Sequence, residues 1–578
     1  MVPLRGFRLC VTFLLAVLPW RGSATDNMPA DGNLLGLFPL TIIHTNDFHA
    51  RFDETTTGSA ICRPTDQAAG RCVAGLARVY GTIKRLRQEY ATKNPIYLNA
   101  GDNFQGSLWY TLLRGNVTAD LIKALPPDVM TLGNHEFDHS PQGLAPYLKE
   151  LESKQIPTVV ANLEMNGEPA LKQSKIARSI ILNVAGTNVG VIGALYDKTH
   201  KVAQTGKVTF TDAIEAVRKE AQELKKKNVN IIVVLSHCGL DVDKQLAEKA
   251  GDHFDVIVGA HSHSLLLTKK DNTPYDTKYD TIEGDYPLVV TKGNNHKVLI
   301  TQARSYGKYV GRLTVFFDQA GEVQSWEGQP LYMANSVRQD QGILEQLKPW
   351  RKEVERLGTQ VIGRTDVFLD RESCRWCECT LGSLIADAFA ANYTTPSRKP
   401  VAIVQAGNFR NPIQKGDVTN GLAIEAAPYG SSVDMVKLTG ADLWKAIDHS
   451  FTLDDEFRFN TMQVSGLKVV VDLTKKPYER VQSIDVVDAK GAKKPLDKKD
   501  TYFVVAPSYL ADGKDGFEMM KNGKERVKGS LDSDVLIDFI RKEKHIKPDR
   551  FKEQRVIITK HTNGTCSWVM DGERFKPK

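Results

Sequence analysis

Five short apolar runs, at residues 40–43, 96–98, 129–132, 231–235 and 256–258, each lead into metal-binding side chains. These are Asp47-Phe48-His49, Gly101-Asp102, Gly133-Asn134-His135-Glu136, Ser236-His237 and His261-Ser262-His263. Runs this short and mostly rich in Val, Ile and Leu read as strands buried on both faces. In open α/β sheets, ligands bind just beyond the carboxyl ends of the strands, and all five polar clusters fall there. A lone Asp-x-His after a strand is more often a loop with an Asx-turn, and a lone His237 or His261 is more often a satisfied buried histidine. Five clusters in order, each after a strand, predict one convergent site.

The ligand types specify its chemistry. Asp47, His49, Asp102, Asn134, His237, His261 and His263 supply two carboxylates, one amide and four imidazoles. That set is too large for one tetrahedral zinc and suits two divalent cations sharing a bridge. Asp102 is the natural bridge, because a carboxylate can span the roughly 3.5–4 Å between the metals of two-metal hydrolases. Phosphoester or phosphoanhydride hydrolysis is the expected reaction. Zinc or manganese fits the ligands by softness and geometry.

The stretches Ile43-His44-Thr45-Asn46-Asp47-Phe48-His49, Ala100-Gly101-Asp102-Asn103-Phe104-Gln105-Gly106 and Gly133-Asn134-His135-Glu136-Phe137-Asp138 resemble motifs of the 5′-nucleotidase family of metallophosphatases, in the family order. The resemblance runs from about residue 40 to about residue 560. It implies an α/β chain with an N-terminal four-layer α/β/β/α (calcineurin-like) metallophosphatase domain and a C-terminal α+β nucleotide-binding domain. It also implies one metal held by Asp47, His49, Asp102 and His263, and a second by Asp102, Asn134, His237 and His261. Relatives more often carry Asn or Gln at the position of His263, a change expected to alter metal preference. His135 and Asp138 stand three apart, close enough for the carboxylate to fix the tautomer of the ring if a helical turn follows. The family uses such a dyad, so His135 is expected to stabilise the transferring phosphoryl group, with metal-activated water as nucleophile. His139 reads as solvated surface.

At 578 residues the chain exceeds one ordinary core, and 41% hydrophobic with 25% charged residues is a globular composition. A net charge of +7, from 76 basic and 69 acidic residues, gives no case for nucleic acid and slightly favours an anionic partner. Arg5 and Arg8 before the apolar run 9–18, followed by Gly22-Ser23-Ala24, mark residues 1–24 as a signal peptide. Residues 568–578 are polar and basic, with no hydrophobic tail for a lipid or membrane anchor, so a released extracellular protein is expected. Cysteine usage agrees. Cys62 with Cys72 closes a short loop, and Cys374 with Cys379 matches a bridge in the family. Cys238, Cys377 and Cys566 are left with no pairing that sequence can settle, Cys377 with Cys566 being one option. The run 374–379 could alternatively bind zinc, but no second cluster supplies the other ligands. In a secreted chain Asn116, Asn392 and Asn563 are glycosylation sequons.

Strands alternate with amphipathic helical stretches, clearest at 73–90 and 211–227, as far as about residue 332. The expected division is a metallophosphatase domain at 25–338, a connecting helix at 339–357 that by resemblance holds the domain hinge, and a nucleotide-binding domain at 358–578. In this last part the residues alone say little, since arginine is usually solvated and tyrosine usually packs. The resemblance makes Arg375 and Arg410 phosphate clamps, Tyr429 and Tyr509 stacking faces for a base, and Asp515 an acceptor for sugar hydroxyls. Gln405 stands where relatives place a substrate-contacting Asn, and Asn408 replaces a Gly. Arg51 matches a family arginine near the phosphate.

The chain looks most like the secreted salivary apyrases of blood-feeding arthropods. That likeness implies hydrolysis of ATP and ADP to AMP and phosphate, activation by added calcium, and inhibition of ADP-driven platelet aggregation. A 5′-nucleotidase making adenosine from AMP is the alternative within the family. A third reading is an inactive scaffold that binds nucleotides or a platelet receptor. Its motif, Lys415-Gly416-Asp417, is a tripeptide known to bind integrins but reads more simply as a turn.

Overall fold

The computed structural model describes residues 36–270, 273–293, 295–452, 460–488 and 491–560. The expected signal peptide, Cys566 and the sequon at Asn563 lie outside the described residues.

Two sheets lie face to face in the first half of the chain. Strands Phe38–Thr45, Pro95–Asn99, Val129–Met130 and Thr158–Val159 run parallel in one, bordered by antiparallel Tyr309–Phe317. Strands Thr187–Leu195, Ile231–His237, Val256–Val258 and Lys297–Thr301 run parallel in the other. Side chains alternate along a strand, so Leu40 and Ile42 enter the core shared by the two sheets while Ile43 enters the core beneath the helices. Where the sheets touch, Gly193 is required, because a Cβ there would stand 1.8 Å from the Val159 carbonyl oxygen.

Helices Leu76–Glu89 and Leu108–Ala124 cover the first sheet, and Ala213–Lys226 and Leu240–Ala250 the second, giving the four layers. The stretch at 73–90 turns helical only from Leu76, since Ala74 (φ 57°) and Gly75 (φ 84°) are left-handed. The other helix is capped by Asp212, whose side chain accepts the Glu215 N–H.

Helix Gln341–Gly358 forms where a connector was expected, yet it is packed into the first core. Ile343, Leu347 and Val354 join the apolar cluster of helices Leu76–Glu89 and Leu108–Ala124. Trp350 Nε1 donates to Asp120 at 2.8 Å and Arg351 to Asp53 at 2.6 Å. The chain passes to its second core beyond the helix end, where Asn420 Nδ2 donates to the Leu357 carbonyl at 2.9 Å.

That second part is built on a mixed five-stranded sheet in the order Met462–Ser465, Val401–Gln405, Thr501–Pro507, Val433–Thr439, Lys524–Val527. Helix Thr380–Tyr393 packs on one face and Gly440–His449 on the other. Cys62–Cys72 and Cys374–Cys379 are disulfides, and Cys238 is buried and free. Lys415-Gly416-Asp417 is not a turn: Gly416 begins the edge strand Gly416–Thr419, where Asp417 sits opposite Arg364. Among the described residues no helix is long and apolar enough to cross a membrane.

Candidate active site

All seven expected ligands stand at the carboxyl ends of the parallel strands. Asp47 (φ 49°), His49 (52°), Asp102 (52°), His261 (73°) and His263 (57°) hold left-handed backbone. Non-glycine residues rarely adopt it, at a cost of about 1–3 kcal/mol each. Backbone strain is therefore concentrated on one site. Two of its loops interlock: a Cβ on Gly133 would lie 2.1 Å from Asp102 Oδ1, and one on Gly101 2.5 Å from the Gly133 nitrogen. Glu136 ties them together. Its buried carboxylate accepts the N–H groups of Asp102 (3.0 Å), Asn103 (2.7 Å), Phe104 (3.3 Å) and Gly133 (2.6 Å).

Ligand atoms of Asp47, His49 and His263 lie within 4.8 Å of one another, as do those of Asp102, His237 and His261. Asp102 Oδ2 is 3.1 Å from His237 Nε2 and 3.9 Å from His49 Nε2, so it stands between the two groups. Asn134 adjoins them through His135, whose N–H donates to Asp102 Oδ1 at 2.8 Å. Asn134 Oδ1 is buried without a hydrogen-bond partner, and the buried His237 Nε2 meets Asp102 Oδ2 at 3.1 Å. An unpaired buried group is costly unless something engages it, and the mix of carboxylate, imidazole and amide donors fits divalent cations. Neighbours orient the ligands. His237 Nδ1–H donates to the Ala100 carbonyl at 2.7 Å, leaving Nε2 toward the site. Asn46 Nδ2 donates to Asp47 at 2.8 Å and to the Arg304 carbonyl at 2.6 Å, while the Arg304 guanidinium donates to the His263 carbonyl at 2.9 Å.

Burial and the neighbouring His263 hold His49 down at about 3, and burial with His237 holds His261 down at about 4, so both are the neutral imidazoles that metals bind. Burial opposes ionisation of Asp47 and Asp102. The histidines beside them prevail, holding Asp47 at about 2 and Asp102 well below the usual range. Burial likewise opposes a charge on His237, but Asp102 and Asp47 raise it to about 9. A cation taken up there must displace that proton. Burial and the Asp102 charge push Glu136 up to about 7.

His135 Nδ1 and Asp138 Oδ2 are 2.7 Å apart, and the His135 ring meets His49 edge-on with centroids 5.1 Å apart. Burial lowers the His135 pKa, but Asp138 and Asp102 outweigh it and raise it to about 10. Arg51 lies over the Tyr306 ring at 5.0 Å, its Nε buried without a partner. Tyr306 also packs against His49 and His263, each at 5.4 Å, and its N–H donates to the Asp47 carbonyl at 2.7 Å. Nothing in Arg304-Ser305-Tyr306 marks it in the sequence. His139 is not solvated surface: it is half-buried, stacks on Tyr110 and meets the Arg114 guanidinium at 2.6 Å. Arg114 in turn bridges to Asp534 of the second part at 2.8 Å.

A cleft of about 880 Å³ in the second part is lined by Arg375, Gln405, Arg410, Tyr429, Tyr509 and Asp515, all the residues expected there. Gly407, Asn408, His449 and Phe517 line it too. The Arg410 guanidinium lies over the Tyr429 ring at 4.7 Å. Asp515 accepts hydrogen bonds from Gln405 Nε2 (3.1 Å) and Tyr509 OH (2.8 Å). Gln405 Oε1 and Asn408 Oδ1 are buried acceptors without partners. His449 went unremarked in the sequence because a histidine ending a helix reads as a partner of the helix dipole. Here its Nε2–H donates to the Asp515 carbonyl at 2.9 Å, and its ring packs on Phe517 at 4.6 Å. The cleft adjoins the ligand loops: a Cβ on Gly430, next to Tyr429, would meet Gln105 Nε2, three residues after Asp102, at 1.5 Å.

Residues 40–265 match the calcineurin-like phosphoesterase family and residues 361–522 the 5′-nucleotidase C-terminal domain. The chain is 74% identical over 541 residues to an apyrase of Anopheles gambiae, covering 94% of each. It is 57% identical over 546 residues to an apyrase of Aedes aegypti, covering 94% of this chain and 96% of that one. Among solved structures, a 5′-nucleotidase precursor from Thermus thermophilus is 33% identical with a TM-score of 0.60, covering 90% of this chain and 99% of that one. The metallophosphatase fold carries a dinuclear divalent-metal site, and the His and Asp clusters described above are its ligand candidates. The chain belongs to the 5′-nucleotidase family of calcineurin-like metallophosphatases, which are metal-dependent nucleotide phosphohydrolases.

Proposed function

We propose that the protein is a secreted apyrase that hydrolyses extracellular ATP and ADP to AMP and phosphate, and so removes the ADP that activates a host's platelets. The carrying observation is the junction of the candidate cation site with a cleft of arginines and tyrosines across the Gln105–Gly430 contact. The near full-length likeness to mosquito apyrases favours di- and triphosphates over AMP. Exposed Asn116 and Asn392 suit glycosylation on a secretory route. A 5′-nucleotidase acting on AMP is the second reading, favoured by the bacterial structure. An inactive binding scaffold is disfavoured, since it would have no reason to keep seven ligands and a dyad.

In this reading Asp47, His49, Asp102 and His263 hold one cation, and Asp102, Asn134, His237 and His261 the other, zinc or manganese by ligand type, with calcium as an added activator. Bound there, the cations supply Lewis acidity and a nucleophile from water. His135 donates from Nε2 to a phosphoryl oxygen, because Asp138 engages Nδ1–H and favours the protonated ring. Arg51 approaches the same phosphoryl group, and Arg375 and Arg410 take oxygens of the preceding phosphate. Tyr429 and Tyr509, each 43% exposed, present faces to the base. Asp515 accepts from the ribose, set by Gln405, Tyr509 and His449.

Base stacking is worth roughly 1–3 kcal/mol. Tyr429→Ala is therefore expected to raise KM for ADP about five- to hundredfold with little change in kcat, while Tyr429→Phe stays within about twofold of the parent. Steady-state kinetics checks this, and an unchanged KM in the alanine variant removes Tyr429 from the site. The function itself is tested by phosphate release from ATP, ADP and AMP side by side, with zinc, manganese or calcium added and after chelation. Release from ATP and ADP but not AMP is expected. Release from AMP gives the nucleotidase reading, and none from any gives the scaffold.

A further inference from the structure

Helix Leu108–Ala124 is bent at Arg114, whose φ of 57° and ψ of −152° are a backbone conformation nearly confined to glycine. A residue keeps such a conformation only where its surroundings dictate it. At this bend the guanidinium holds two partners from opposite parts of the chain. One N–H donates to His139 Nε2 at 2.6 Å, and another to Asp534 Oδ1 at 2.8 Å. His139 follows Asp138 of the dyad, and its ring stacks on Tyr110 of the same helix with centroids 5.6 Å apart. Burial, and then Arg114, keep the His139 pKa below its ordinary value, so a neutral ring accepts from the guanidinium.

Asp534 stands on the other side of the junction. It lies in the first turn of helix Asp532–Glu543, whose start is tied to the loop after Tyr429. The Asp532 N–H donates to the Ser431 carbonyl at 2.9 Å, and Leu531 pairs with Ser432 in a β-bridge. Ser431 itself lines the cleft. Arg114 thus joins the loop that presents a face to the base to the loop that carries the dyad. Leu108 and Leu112 of the same helix pack against the cores of both parts. Apolar packing is non-directional, whereas charge-assisted hydrogen bonds add geometric specificity. A substrate held at both ends reacts only where its ends are correctly spaced.

We propose that Arg114 is a positioning residue for hydrolysis: its clasp on His139 and Asp534 sets the base cleft in register with the metal centre, so that one nucleotide spans both. The proposal rests on the proposed function and deepens it by naming a residue that touches neither end of the substrate and fixes the distance between them.

The test uses a ligand for each end. Adenosine fits the cleft alone, inorganic phosphate fits the metal centre alone, and ADP needs both. In the full chain, Arg114→Gln is expected to lower kcat/KM for ADP about tenfold, the size of one lost charged hydrogen bond. The inhibition constants of adenosine and inorganic phosphate are expected to stay within about twofold, because joined ligands gain only where the geometry lets both ends engage. Asp534→Asn should give about the same loss. The double variant should lose less than about twofold beyond either single one, as partners in one contact do. Arg114→Lys lacks the fork that takes two partners and is expected to recover little. A parallel weakening of adenosine or phosphate would mean that Arg114 supports the fold of one part and would overturn the proposal. So would an unchanged kcat/KM for ADP, or independent losses in the double variant. If the parent protein releases no phosphate from ADP, the proposed function fails. Equilibrium dialysis of ADP, adenosine and inorganic phosphate on the same variants then decides the clasp: ADP weakened with both pieces unchanged upholds it, and any other pattern overturns it.

Discussion

Asp102→Ala is expected to abolish phosphate release from every nucleotide, lowering kcat by at least about four orders of magnitude. Asp102 is close to both ligand groups, 3.1 Å from His237 Nε2 and 3.9 Å from His49 Nε2. Its other oxygen accepts the His135 N–H at 2.8 Å, so the dyad loop loses its anchor as well. Losing the shared ligand of a two-metal centre forfeits about 5 kcal/mol or more of transition-state stabilisation. Alanine also tolerates the φ of 52° at this position poorly. Phosphate assays on ATP, ADP and AMP should be paired with bound-metal analysis, which should fall from two per chain to one or none, and with circular dichroism for folding. A folded variant that still hydrolyses any of the three would remove Asp102 from the bridging role.

His135→Asn is expected to lower kcat by about 10²–10³, with KM and metal content nearly unchanged, the size seen when one donor to developing charge is removed. The reason is electrostatic. Despite burial, the Asp138 and Asp102 charges raise the His135 pKa to about 10, which favours a proton on its outer nitrogen. Asp138→Asn keeps a hydrogen-bonding partner for Nδ1 but loses the charge that favours the cation, and the expected loss is smaller, about 10- to 100-fold. A His135 variant whose defect lies mainly in KM would make it a binding residue instead.

The metal centre was legible because its chemistry sits on the simplest sequence pattern, a short apolar strand followed by a ligand. Asp47, Asp102, Asn134, His237 and the 261–263 pair stand where that pattern puts them. The cleft was legible only through the resemblance, since Arg375, Tyr429 and Asp515 come from separate loops and no periodicity joins them. Contacts between distant segments were invisible. Glu136 shows its role only once its four N–H donors are brought together, and Tyr306 only once the Asp47 loop folds against it. His139 was misread because the helix kink at Arg114 (φ 57°, ψ −152°), which aims a guanidinium at it, leaves no trace in the sequence. Helix Gln341–Gly358 looked like a spacer by its charge, but Ile343, Leu344, Leu347, Trp350 and Val354 lie on the face that meets the first core.

The loop at His263 bears on how such a centre changes over time. Its φ of 57° lies in the region that asparagine tolerates better than most residues. The carbonyl of residue 263 is held from outside by Arg304, whichever side chain stands there. Imidazole and amide can therefore exchange at this position in a single mutational step with the backbone left as it is. The donor type at this corner of the candidate site is thereby uncoupled from the fold of its loop.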